Sequence, residues 1–259
     1  MSYIEIILLS FIQGITEFFP VSSSGHLLIS KIFLSIENKD ILIDVVLHLG
    51  TLFAIIFYWK KDLLHDLNQI YNGNFNLILK IIVGCIPVGL IGLFFSDIIE
   101  DYFFANNNKI PLFLIVNYLI MAILIFVTKF FKNNFNINIS YLHALLIGFF
   151  QCFALMPGIS RSGVTIVAAL FLGYTFSKSM KFSFYLAIPT IFFGSLMKIS
   201  NIETYDSFLI LLTGLLFSFI FGYLVLLYLD KIIQKQKYWL FSIYCLLLSI
   251  ILLVYNYGI

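Results

Sequence analysis

Two polar stretches echo each other inside an apolar chain, and this constrains the fold more than any other feature. The first, Gln13–His26, reads Gln-Gly-Ile-Thr-Glu-Phe-Phe-Pro-Val-Ser-Ser-Ser-Gly-His. The second, Gln151–Thr165, reads Gln-Cys-Phe-Ala-Leu-Met-Pro-Gly-Ile-Ser-Arg-Ser-Gly-Val-Thr. A shift of 138 positions carries Gln13 onto Gln151, Ser22 onto Ser160, Ser24 onto Ser162 and Gly25 onto Gly163, while Pro20 and Pro157 align with a slip of one. Repetition at this period points to two related structural halves. The surroundings are hydrophobic: 61% of the 259 residues are apolar and 11% are charged, against about 25% charged in a soluble domain. The chain is therefore expected to be a membrane protein.

The apolar residues fall into runs of two lengths. Ile41–Trp59, Ile78–Phe95, Pro111–Phe131, Phe182–Ile199, Phe208–Leu229 and Trp239–Tyr257 are each long enough to span a bilayer core. Ile4–Ile15, Gly25–Ser35, Leu142–Leu155 and Val164–Phe176 are too short to cross alone, and each pair flanks one polar stretch. A short pair joined at a polar turn predicts a re-entrant helical hairpin, with its irregular backbone shielded by protein or a wet cavity. Each half then holds one hairpin and three crossings. Three is odd, so the second half starts on the opposite side. The expected fold is an all-α polytopic membrane protein, one membrane domain over 1–259, built from two inverted-topology repeats at about 1–135 and 139–259. The Asn-rich segment Asn133–Ser140 is the natural boundary between them.

Lysine placement sets the orientation. With Met1 outside, Lys60, Lys61, Lys80, Lys129, Lys132, Lys178, Lys181, Lys231, Lys235 and Lys237 fall inside, whereas Lys31, Lys39, Lys109 and Lys198 fall outside. The positive-inside rule therefore puts both termini outside, together with the acidic cluster Asp97, Glu100 and Asp101. Trp59, Tyr238 and Trp239 end long runs and read as interfacial anchors. The first apolar run leads into the polar motif with no basic region before it, as expected of mature protein rather than a signal peptide. A net charge of +2 gives no footprint for a nucleic acid. Cys85, Cys152 and Cys245 lie far apart in apolar runs, which suits buried thiols and offers neither a disulfide framework nor zinc-ligand spacing.

The polar stretches concentrate the chemistry. Gln13 and Glu17 are four apart and share a helix face. Pro20 ends that helix, and Ser22, Ser23, Ser24 and Gly25 open the next, where free N–H groups await an anion. Ser23 and His26 are three apart, which predicts that hydroxyl and imidazole face one site. In the second stretch Ser160, Arg161, Ser162 and Gly163 open a helix, with Thr165 adding a hydroxyl. Arg161 is the sole arginine of the chain. A permanently charged planar fork between two serines at a helix start is what a phosphate selects. Glu17 at membrane depth costs roughly 2.5–3.5 kcal/mol on insertion scales, so an ion pair with Arg161 is one reading and a functional site the other. Asp44 and His48, one turn apart on the first long run, are further intramembrane ionisable residues that could support the site.

Gln13-x-x-x-Glu17 followed by Pro-Val-Ser-Ser-Ser-Gly-His, together with Pro157-Gly-Ile-Ser-Arg-Ser-Gly-Val-Thr165, resembles the undecaprenyl-diphosphate phosphatase family, also called the bacitracin-resistance protein family. The resemblance covers nearly the whole chain. It implies hydrolysis of undecaprenyl diphosphate to the monophosphate, which recycles the lipid carrier for cell-wall synthesis, in the bacterial cytoplasmic membrane with the site opening to the outer face. It also implies catalytic roles for Glu17, Ser23, His26 and Arg161. Gln13, Ser22, Ser24, Gly25, Ser160, Ser162, Gly163 and Thr165 would surround the polyprenyl diphosphate. A divalent cation, Mg²⁺ or Ca²⁺, is implied as well, with Glu17 as its protein ligand. The family's acidic motif begins with Glu or Gln; Gln13 here leaves Glu17 as the motif's one carboxylate. A homodimer is left open, and a transporter or flippase of a polyprenyl phosphate is the rival reading, since inverted repeats with broken helices also build transporters.

Overall fold

The computed structural model describes residues 1–36, 41–104, 112–131, 138–199, 207–234 and 237–257. Among them are eleven α-helices and no strand. These are α1 (Tyr3–Thr16), α2 (Ser23–Phe33), α3 (Ile41–Tyr58), α4 (Lys60–Tyr71), α5 (Asn76–Phe104), α6 (Leu112–Val127), α7 (Tyr141–Cys152), α8 (Arg161–Phe171), α9 (Phe176–Ile199), α10 (Phe208–Gln234) and α11 (Phe241–Tyr257). Six of these regions are long and apolar enough to cross a membrane: Ile41–Tyr58, Asn76–Phe95, Leu112–Phe130, Phe176–Lys198, Phe208–Leu229 and Tyr238–Tyr257. These are the six long runs of the sequence, and the protein is a multi-pass helical membrane protein. Large apolar side chains such as Phe94, Phe149, Phe208 and Ile251 face outward, as a lipid solvent permits.

The short helices pair as expected. Ser2 caps α1 with a capping box, its hydroxyl accepting from the Glu5 amide at 3.3 Å while Glu5 accepts from the Ser2 amide at 2.8 Å. Ser140 caps α7 by accepting from the His143 amide at 3.1 Å. The leaving helices α2 and α8 are capped by Ser22 and Ser160, which accept from the Gly25 and Gly163 amides at 3.3 and 3.1 Å. Both pairs of caps recur at the period of the sequence repeat, so the echo extends beyond the polar motifs.

Glycines let the hairpins dock. A Cβ on Gly14 of α1 would stand 2.6 Å from Phe221 Cβ of α10, and one on Gly148 of α7 would stand 2.2 Å from the Gly84 carbonyl oxygen of α5. Each entering helix thus lies against a long helix of the other half. α3 and α9 are the inner helices: half of the α9 span is buried within the protein, against 11% of the α5 span.

Three sequence readings change. The segment after Trp59 is a helix, α4, with no buried residue and with Leu64, Leu67 and Tyr71 exposed along one side. Its other side meets α9, where Asp62 pairs with Lys181 and Asp66 accepts from the Tyr185 hydroxyl at 2.7 Å. Apolar residues at 63, 64, 67, 70 and 71 carried that signal. Lys31, counted as an outside loop charge, is a buried residue of α2 that pairs with Asp44 at 2.8 Å. α5 continues to Phe104, past the end of its apolar run. Lys39, Lys109, Lys132, Lys235, and the side chains of Asp97, Glu100, Asp101 and Lys231, lie outside the described residues, as does most of Asn133–Ser140.

Candidate active site

α1 ends at Thr16, and the chain turns through Glu17–Val21 before α2 opens at Ser23. Ser22 makes this turn with φ of +64°, a conformation that costs a non-glycine residue of order 1–3 kcal/mol and tends to be kept where function needs it. In the second hairpin a 3₁₀ turn (Phe153–Leu155) leads to Pro157 and to Gly158 at φ +91°. Arg161 is the first residue of α8. The two tips touch. The Ser162 hydroxyl donates to the Phe19 carbonyl at 3.3 Å, and Ser160 reaches the same carbonyl at 3.4 Å. A Cβ on Gly25 would lie 3.1 Å from the Gly158 Cα. Long helices secure each tip from behind: Asn117 of α6 donates to the Pro157 carbonyl at 2.7 Å, and the Cys245 thiol of α11 lies 3.8 Å from the Pro20 carbonyl.

This contact brings the carboxylate of one stretch to the guanidinium of the other. Glu17, 7% exposed, accepts from Arg161 Nη2 through Oε1 at 2.7 Å. Its other oxygen accepts from the Ser23 hydroxyl at 2.5 Å and from Gln13 Nε2 at 3.0 Å. Gln13 is itself fully buried and also reaches the Thr51 hydroxyl at 3.4 Å, so it steers Glu17 from behind. The fourth neighbour is His48 of α3, whose Nε2 stands 3.8 Å from Glu17 Oε2. His48 Nδ1 donates to the Asp44 carbonyl at 2.7 Å. A carbonyl only accepts, so Nδ1 carries a proton and the ring is held with Nε2 facing Glu17.

A cavity of about 650 Å³ opens over this group, lined among others by Glu17, Ser23, Asp44, His48, Gln151 and Arg161. Ser22, Ser24 and Ser160 also face it. Gly25, Ser162, Gly163 and Thr165 stand behind: Thr165, fully buried, donates to the Arg161 carbonyl at 2.8 Å and is 2.7 Å from the Ser183 hydroxyl. Unpartnered buried polar atoms stand beside the cavity. Arg161 Nη1 has no hydrogen-bond partner, nor does either amide atom of Gln151. Gln151 is the repeat mate of Gln13, but Leu155 stands where Glu17 would engage it.

His26 departs from the expectation that it shares a site with Ser23. Its Nδ1 lies 2.8 Å from the Ser22 carbonyl and 2.9 Å from the Tyr118 hydroxyl, and its Nε2 is 2.6 Å from the Tyr244 hydroxyl. The ring is edge-on to Tyr118 and stacked on Tyr244. Helical spacing put Ser23 and His26 on adjoining positions, but the aromatic hydroxyls of α6 and α11 turn the imidazole away from the cavity. The imidazole at Glu17 is instead His48, which its place among intramembrane ionisable residues had flagged.

Among the described residues no group of three His, Cys, Asp or Glu side chains is arranged to hold a metal. Three of the four groups around Glu17 are nitrogens, so the oxygens the protein could lend a cation there are the Glu17 carboxylate, the Ser23 hydroxyl and the Gln13 Oε1, which is buried without a hydrogen bond. Such a set fits a hard cation, Mg²⁺ or Ca²⁺, that takes most of its ligands from substrate and water.

The family model described as bacitracin resistance protein BacA matches residues 6–251. A protein of Thermosipho africanus, named undecaprenyl-diphosphatase, is 42% identical over 249 residues, covering 95% of this chain and 97% of that protein. Proteins of the same name from Pelagibacter ubique and Methanococcus vannielii are 37% and 36% identical, each over 257 residues; the alignments cover 98% and 97% of this chain and 98% and 99% of those proteins. Both hairpins lie within the matched residues, and the chain belongs to the bacitracin resistance protein BacA family.

Proposed function

We propose that this protein is an integral-membrane phosphatase that hydrolyses undecaprenyl diphosphate to undecaprenyl phosphate and inorganic phosphate, recycling the lipid carrier for cell-wall synthesis. The name of its relatives supports the substrate. The observation that carries the reaction is the meeting of Glu17, Ser23 and Arg161 around one cavity. In this reading the two halves run in opposite senses through the bacterial cytoplasmic membrane, and the cavity opens toward the outer face.

The chemistry follows from the contacts. Arg161 keeps Glu17 with one nitrogen and offers Nη1 to a phosphate oxygen, aided by the amides at the starts of α2 and α8. Ser23 Oγ, its proton already directed at Glu17 Oε2, attacks the terminal phosphorus. The bond to the bridging oxygen breaks, and undecaprenyl phosphate leaves. Water then attacks the phosphoserine and passes its proton to His48 Nε2; the P–Oγ bond breaks, Ser23 Oγ takes back the proton held by Glu17, and inorganic phosphate leaves. His26 is a positioning residue that fixes the Ser22 carbonyl and hence the strained turn before Ser23. A Mg²⁺ or Ca²⁺ near Glu17 and Gln13 Oε1 would neutralise diphosphate charge, the main demand of phosphoryl transfer.

The test is phosphate release by the purified protein in detergent. Wild type releases phosphate from undecaprenyl diphosphate, Arg161→Ala does not, and acid quenching traps a phosphoserine at Ser23. Near-normal turnover by Ser23→Ala would remove the covalent route and leave an activated water. A wild-type protein that moves the lipid between leaflets and releases no phosphate would overturn the enzyme reading in favour of a transporter.

A further inference from the structure

We propose that the cleft between α5 and α9 is the seat of the substrate's isoprenoid chain, and that three glycines keep it open; this rests on the phosphatase reading. The starting observation is an inequality between the halves. α3 packs closely along α10, where a Cβ on Gly50 would stand 1.9 Å from the Ser218 hydroxyl and one on Gly222 would stand 3.3 Å from Ala54 Cβ. The corresponding pair in the sequence repeat, α9 with α5, meets over a much shorter stretch. Between them lies a cleft of about 1250 Å³, larger than the ~300–1,000 Å³ of ordinary small-molecule pockets.

The cleft is continuous with the site cavity. Val88 and Gly92 of α5, and Thr190, Gly194 and Met197 of α9, border both spaces, as does Leu155 at the second hairpin. Its walls are mostly apolar, with Ile82, Ile86, Leu93, Ile188 and Phe193 among them. A diphosphate held at Glu17 and Arg161 would therefore project whatever is attached to it into this channel. A branched, unsaturated hydrocarbon chain is the occupant that matches an apolar channel leading from an anion site.

The glycines distinguish a built channel from a loose helix contact. A Cβ added at Gly89, Gly92 or Gly194 would have nothing within 4 Å, whereas one at Gly84, lower on α5, would meet Leu186 at 2.7 Å. Gly84 is needed for packing. Gly89, Gly92 and Gly194 contribute nothing to packing and leave space along the channel. Pro87 and Pro189 interrupt the two helices beside it, each removing one backbone hydrogen bond and favouring a bend.

The experiment compares two substrates on one purified protein: undecaprenyl diphosphate, and isopentenyl diphosphate, whose tail is a single isoprene unit. Gly89→Phe and Gly194→Phe place a ring in open space, so folding is retained by size-exclusion profile and melting temperature. Each is expected to lower the ratio of long-chain to short-chain kcat/KM by about tenfold or more, the effect of forcing bulk into an occupied space. Ile123→Phe, on the outward face of α6 away from the cleft, is expected to leave that ratio unchanged. An unchanged ratio in both glycine variants, or an equal loss on both substrates, would mean that ordinary bilayer lipid fills the cleft and would overturn the proposal. Failure of wild type to release phosphate from either substrate would instead overturn the phosphatase reading beneath it.

Discussion

At the scale of single residues, the protein solves the problem of keeping a carboxylate at membrane depth by surrounding Glu17 with one cation, two neutral hydrogen-bond donors and an imidazole. The pair with Arg161 at 2.7 Å is the core of that arrangement. Removing one partner of such a pair strands the other, at roughly 3–5 kcal/mol. Glu17→Gln is therefore expected to lower both melting temperature and phosphate release, the latter by ~10²–10⁴ as for loss of a general base. The two histidines are expected to separate by readout. His48→Gln, at the cavity, should depress kcat about tenfold or more with little change in melting temperature. His26→Ala should lower the melting temperature through loss of the Ser22, Tyr118 and Tyr244 contacts, and activity should fall with it. Gln13, Glu17, Ser23 and Arg161 were legible in the sequence as members of two motifs. The turning away of His26 was not, because Tyr118 and Tyr244 are 92 and 218 positions distant along the chain.

At the scale of elements, each hairpin is a capped helix, a broken turn and a second capped helix, and the break is useful only where the tips meet. Gly25 marks the crossing: a Cβ there would stand 2.5 Å from the Tyr118 hydroxyl and 3.1 Å from both the Gly158 Cα and its amide nitrogen. Gly25→Ala is expected to push the tips apart, costing about 1–3 kcal/mol of stability and most of the turnover, as measured by thermal unfolding and phosphate release. Helix lengths and breaks were readable because Pro20, Pro157, Gly158 and the helix-opening serines of the two polar stretches punctuate the apolar runs. α4 escaped notice because its hydrophobic content is low and its apolar residues form one face rather than a run. Its exposed Leu64, Leu67 and Tyr71 suit a helix lying along the membrane surface, held by Asp62 and Asp66 to α9.

At the scale of the whole molecule, orientation is the property that lysine placement predicts. In a cysteine-free background, a single cysteine in place of Ser2 should react with an impermeant maleimide on intact cells. One in place of the exposed Asn74, after α4, should react only once the membrane is opened. The reverse pattern would invert the assignment and turn the cavity toward the cytoplasm. The crossing helices, the paired hairpins and the identity of the polar motifs were determined by the sequence alone, since bilayer thickness and the need to satisfy backbone groups leave few alternatives for runs of these lengths. Tertiary structure decided which polar groups share a cavity, which imidazole stands beside Glu17, and why one helix pair closes while its counterpart stays open. Those outcomes depend on contacts between residues far apart in the chain, where a single hydroxyl or a missing Cβ sets direction and spacing, and no periodicity records them.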